Sequence, residues 1–175
     1  MKIVVFKAAG DYICRPDTTL NHDNSDYYCP EGVTALSVVP CIYTHIDKAG
    51  KCVAERFAGR YFSKVAFGCL LTDATGEVGG DVATSMDFTS VMDMSWIHPE
   101  DPCRYSFCIN GSEIYSLDGR GQAPDFTTPL VEITRRTMLR IGDLIALELG
   151  NGAIVKPGDT ITMSTTAKTE TIRVL

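Results

Sequence analysis

Reactive or ligand-binding sites are built mainly from histidines, carboxylates, thiols and glycine-rich turns, and all four occur here. The three histidines, His22, His45 and His98, stand in a polar loop, at a strand end and in a turn before Pro99. None sits in a motif that pairs a base with a nucleophile, so each reads as a solvated side chain. A Ser-His-Asp site assembled from distant residues stays open at this point. Asp73, Glu77, Asp81 and Asp87 are the acids between expected strands that could converge on a cation, but their spacing matches no known ligand loop. Asp143 and Asp159 each follow a glycine and read as turn aspartates bonded to nearby backbone. The stretch Gly76-Glu77-Val78-Gly79-Gly80 lacks the lysine and the following helix that a phosphate loop needs.

The seven cysteines are Cys14, Cys29, Cys41, Cys52, Cys69, Cys103 and Cys108, and no two have the spacing of a zinc knuckle or redox motif. Cys41, Cys69 and Cys108 lie inside apolar runs, where a reduced cysteine acts as a small hydrophobe. Free thiols in a cytoplasmic protein are the expectation, with a disulfide framework as the weaker alternative. Cys41 and Cys69 could also form a nucleophile or a soft-metal pair, although no basic neighbour in sequence would lower their pKa.

The elements that must position any site are mostly strands. A first strand covers Lys2 to Phe6. Val33 to Ile46 reads as one long or two short strands, with Pro40 marking an edge, a bulge or a break. Ala54 to Ala58 reads as one or two helical turns with Phe57 and Tyr61 facing inward, and Val65 to Leu71 as a buried strand. Asn110-Gly111 supplies the positive φ angles of a hairpin between Arg104–Ile109 and Ser112–Leu117. Thr128-Pro129 opens a helix running to about Leu139, with Leu130, Ile133, Thr137 and Met138 inside. Strands at 144–149, 160–164 and 171–175 complete the chain. One β-rich α+β domain over residues 1–175, with few short helices, is the expected organisation.

Net charge bounds the partners. A value of −6 over 175 residues disfavours nucleic acid and anionic membrane, and Arg135, Arg136 and Arg140 read as the basic end of that helix. The apolar run Ile3–Phe6 stops at Lys7, too short for a signal-peptide core or a bilayer span. No membrane contact and a cytoplasmic location are therefore expected.

Several segments, in order, resemble the fumarylacetoacetate hydrolase family. They are Lys2-Ile3-Val4-Val5, Arg15-Pro16-Asp17-Thr18, Gly50-Lys51, Arg56-Phe57-Ala58 with Tyr61, and Val65-Ala66-Phe67-Gly68. Tyr105 to Ile114, Leu139 to Ile145 and Val155-Lys156-Pro157-Gly158-Asp159 continue the series. The resemblance implies a β-rich fold, a homodimer, and metal-dependent hydrolysis, decarboxylation or isomerisation of 2-oxo or β-diketo acids.

The departures fall on the chemistry. The family's Glu-x-Glu and Asp metal ligands align with Val39, Cys41 and Leu70. The general-base helix after the first strand has no room between Lys7 and Arg15. The catalytic lysine position falls near Ser85, and the Thr-Gly-Thr-Pro loop reads Leu147-Glu148-Leu149-Gly150. Hence no catalytic, cofactor-binding or metal-ligating residue is assigned, and a non-catalytic binding or assembly protein is expected, with a small organic acid as candidate ligand. The alternative is an active enzyme whose ligands have moved to Glu31, Asp73, Glu77, Asp81 or Asp87.

Overall fold

The computed structural model describes residues 1–7, 10–117 and 123–175. The strands are β1 (Lys2–Phe6), β2 (Tyr12–Pro16), β3 (Leu20–Asn21), β4 (Leu36–His45), β5 (Val65–Asp73) and β6 (Ser90–Met92). After them come β7 (Tyr105–Ile109), β8 (Ser112–Leu117), β9 (Leu144–Glu148), β10 (Ala153–Val155), β11 (Thr160–Thr165) and β12 (Thr169–Arg173). The helices are α1 (Gly80–Ala83) and α2 (Thr127–Arg136), with 3-10 turns at Asp17–Thr19 and Glu55–Arg60. The fold is mainly β, as the alternation of apolar residues requires. No helix among the described residues is long and apolar enough to cross a membrane.

Eight strands form a curled mixed sheet in the order β2-β1-β9-β4-β5-β6-β3, with β10 also pairing β4. A second, four-stranded sheet runs β12-β11-β7-β8. Between them lies the large core, where Phe67 stacks on Tyr105 at 4.6 Å and α2 buries Leu130 and Ile133. The hairpin forms as its Asn-Gly pair demands: Asn110 and Gly111 have φ of 49° and 78°. Asn110 also braces the neighbouring turn, donating from Nδ2 to Asp159 Oδ1 at 2.8 Å. Strand β1 is sewn to β9 by Asp143, which accepts from the Lys2 backbone N–H at 3.0 Å and Lys2 Nζ at 2.6 Å.

Four local expectations need correction. Pro40 sits within a continuous ten-residue strand, flanked by β5 on one side and by β9 and β10 on the other, so it is neither an edge nor a break in β4. Its carbonyl accepts from Leu149 N at 2.7 Å, so its missing N–H faces the gap where β9 ends and β10 begins, and the β5 ladder loses nothing. Phe57 is exposed rather than inward, because the Arg56 and Arg60 guanidiniums cover its ring at 4.8 and 5.0 Å. The main helix ends at Arg136, which leaves Met138 beyond it and half exposed. Its start is Thr127, whose N–H bonds Asp125 Oδ1 at 2.9 Å; Pro129 is the third helical residue, still within the turn that needs no donors. The last strand is also placed earlier than 171–175, at Thr169–Arg173.

Candidate functional site

Strand register decides which side chains share a face. Val39 lies opposite Leu70 and Cys41 opposite Gly68, so Val39, Cys41 and Leu70 project to one side of the large sheet. Cys41 and Leu70 join Ile3, Val5, Tyr43, Ala66, Met92, Leu144 and Ala146 in a second, smaller apolar cluster, apart from the large core. Cys41 is fully buried and Leu70 is 2% exposed. The three positions that the resemblance assigns to metal ligands therefore share one side of the sheet, Cys41 and Leu70 packed into the apolar cluster and Val39 partly exposed beside them.

That face carries one cation, which sequence reasoning had not singled out. Arg15 pairs with Ile3 across β1 and β2, so it points to the same side, and it is only 2% exposed. Its Nη2 donates to Leu71 O at 3.0 Å and Thr72 Oγ1 at 2.9 Å. Its Nη1 makes longer contacts to Thr89 O, Thr89 Oγ1 and Ser90 Oγ at 3.3, 3.2 and 3.4 Å. Ser90 is Leu70's partner across β6, and Thr72 is Leu70's next neighbour on the same side of β5. The guanidinium thus lies at the Leu70 end of the face. It spans from one edge strand, β2, to the strands near the opposite edge, which fixes this face as the inside of the curl.

Every hydrogen-bond acceptor of Arg15 is neutral, and its Nε has no partner. Burial pulls the Arg15 pKa down, with Tyr43, Cys41 and the Glu148 carboxylate acting in the other direction. An arginine stays protonated even so. Glu148 sits across β9 from Cys41 and shares its side of the sheet.

The remaining sequence candidates do not assemble. Cys41 and Cys69 stand on opposite faces, and burial raises both thiols, Cys69 to about 12. That makes neither a nucleophile nor a shared soft-metal pair. Asp73 is consumed by its own loop, accepting from Thr75 N, Thr75 Oγ1 and Val78 N. No group of three or more histidines, cysteines or acids poised for a metal occurs among the described residues, Glu31, Asp73, Glu77, Asp81 and Asp87 included. Ser85 bonds back to Asp81 O at 2.8 Å. His45 pairs with Asp47 at 2.9 Å, and His98 Nδ1 accepts from Glu100 N. His22 is exposed in its loop.

Asp93 was also missed. It is 1% exposed, accepts from Ser95 N at 3.1 Å through Oδ1, and has no partner for Oδ2. Burial raises its carboxyl to about 6.

This arrangement of sheets defines the class: the fold is that of the fumarylacetoacetate hydrolase family. Among solved structures, a protein ascribed to that family from Yersinia pestis CO92 has a TM-score of 0.83 at 16% identity, over 99% of this chain and 92% of that one. The 5-carboxymethyl-2-hydroxymuconate delta-isomerase of Mycobacterium smegmatis gives 0.80 at 16% identity, over 99% of this chain and 78% of that one. The maleylpyruvate hydrolase of Sphingobium sp. SYK-6, in complex with manganese(II) and pyruvate, gives 0.79 at 16% identity, over 99% and 70%. No family profile matches the sequence, and no curated protein matches it.

A divalent metal does not fit the residues present. Manganese and magnesium take oxygen ligands, whereas Val39 and Leu70 offer none and Cys41 offers a thiol that burial keeps protonated.

Proposed function

We propose that this chain is a non-catalytic protein on the fumarylacetoacetate hydrolase fold, acting in binding or assembly. One observation carries the reading: the inner face presents Val39, Cys41 and Leu70 with the Arg15 guanidinium at its Leu70 end. A dication placed there would exchange its waters for the Glu148 carboxylate alone, short of a hard-cation shell, and would stand beside a fixed positive charge. The hydrolysis, decarboxylation and isomerisation implied by the resemblance rely on a metal to polarise an oxygen of the substrate. The residues that would hold it are not those of a hard-cation site.

Homodimerisation, a small organic acid as ligand and a cytoplasmic location belong to the same reading. Buried free thiols at Cys41 and Cys69 are in keeping with a reducing compartment. Elemental analysis of the purified protein, with manganese titration and assays on fumarylpyruvate and acylpyruvates, tests the proposal. The expected result is no stoichiometric divalent metal and no metal-dependent turnover above background. One bound manganese or magnesium per chain with metal-dependent turnover would overturn it.

A further inference from the structure

The loop after β3 and the turn before β6 enclose a separate cleft of about 660 Å³, lined chiefly by Tyr27, Tyr28, Pro30, Met86, Asp87 and Phe88. Its size lies in the range of small-molecule sites. Two of its rings face water: Tyr28 is 74% and Phe88 53% exposed. Phe88 also has φ of 59°, a left-handed conformation that a bulky side chain adopts only at a cost. Its backbone is held by an N–H bond to Thr18 O at 3.1 Å, and its ring stays outward at the cleft. Tyr27 and Met86 are the buried members, and the Tyr27 hydroxyl has no partner.

The cleft has two carboxylates, and they differ. Asp26 is engaged by Arg173 through the backbone N–H at 2.9 Å, Nε at 2.9 Å and Nη2 at 2.5 Å. Asp87 is exposed and makes no hydrogen bond or ion pair among the described residues. Arg173 stands at the cleft's edge on Asp26, which matches its charge, and no lysine or arginine is among the lining residues. The negative faces of aromatic rings, an available carboxylate and a chain of net charge −6 all select against anions. A purely apolar ligand would desolvate Asp87 without compensation.

We propose that this cleft binds an organic monocation, an alkylated ammonium group held by Tyr28 and Phe88 with Asp87 as its counter-charge. The site is distinct from the inner face and does not depend on how that face is read. Isothermal titration of the whole protein with choline, and with its neutral isostere 3,3-dimethyl-1-butanol, tests it. Choline should bind at least about tenfold more tightly than the alcohol, and salt should weaken it. Asp87→Asn, at an exposed residue with no bonds to lose, should weaken choline binding about tenfold while leaving the unfolding midpoint unchanged. Phe88→Gly should abolish binding yet leave the fold as stable or more so, because glycine relieves the left-handed backbone. Equal binding of the two probes, or none, would overturn the proposal. So would a fall in oligomeric state with Phe88→Gly, which would assign the exposed rings to a second copy of the chain.

Discussion

Replacing Arg15 by methionine keeps most of the side-chain length and removes the charge, so it measures what the guanidinium does inside the curl. Only two of its five contacts are short, those to Thr72 Oγ1 at 2.9 Å and Leu71 O at 3.0 Å. The other acceptors keep partners without it. Thr89 O still receives Leu71 N at 2.7 Å, and Ser90 Oγ still meets Thr19 Oγ1 at 3.0 Å. The loss is therefore two charge-assisted bonds, each about 1.5–3 kcal/mol net. Against this, removing a buried charge that has only neutral acceptors relieves a desolvation penalty of several kcal/mol. The bonds should win by about 2–3 kcal/mol, since the net bond values already include part of that penalty. Urea unfolding should show a lower midpoint at an unchanged m-value. Arg15→Lys should fare no better, because a compact ammonium cannot reach both acceptors and is more strongly hydrated. A buried lysine would also have a depressed pKa, so stability of that variant should rise with pH through its folded-state value, unlike the parent. A methionine variant as stable as the parent would refute the view that Arg15 ties the sheet together.

Three further outcomes follow from the same geometry. Leu70→Asp should be less damaging with Arg15 present than in the Arg15→Met background, by about 1–3 kcal/mol in a double-mutant cycle. Gly68→Ala should cost more than about 4 kcal/mol or prevent folding, because its Cβ would stand 2.0 Å from the Val91 carbonyl oxygen; soluble yield and thermal unfolding read this. Asp93 holds its proton up to about 6 in the folded protein against an ordinary value of 3.8. Its favourable contribution is thus complete below that ordinary value and lost as pH rises through about 6. Asp93→Asn should accordingly gain about 1–3 kcal/mol over the parent at pH 7.5, and the two should converge near pH 4 in denaturant titrations.

The strongest local signals in the sequence matched the structure. Asn110-Gly111 can hardly be anything but a tight turn, and the run from Val65 to Leu71 buries both faces of its strand, as an uninterrupted apolar stretch should. Pro40 misled because a missing donor is harmless where the neighbouring ladder happens to change strands, and that depends on where β9 and β10 end. The strand Tyr12–Pro16 escaped notice because its one buried residue is the charged Arg15, while Cys14 and Pro16 are exposed at an edge position. Its alternation nonetheless places Ile13 and Arg15 on one side, a signal that could have flagged a buried arginine. The face itself was legible, since the aligned positions Val39, Cys41 and Leu70 do share one side of the sheet. Phe57 and Met138 went astray for a different reason: hydrophobicity alone does not distinguish a core residue from one covered by guanidiniums or left beyond a helix end.

The pairing of β1 with β9 has a consequence for the birth of the protein. Strand β1 lies in parallel beside residues 144–147, and its Lys2 is anchored by Asp143. Its antiparallel partner β2 emerges at once, but the other edge of Ile3-Val4-Val5 must wait for about 140 more residues. At about 5–20 residues per second that wait lasts on the order of ten seconds. Throughout it a short β-branched strand is exposed along one side, the kind of edge that pairs readily with other chains. The large sheet cannot close until β9 has been made, because β9 is the strand that joins β1 to β4.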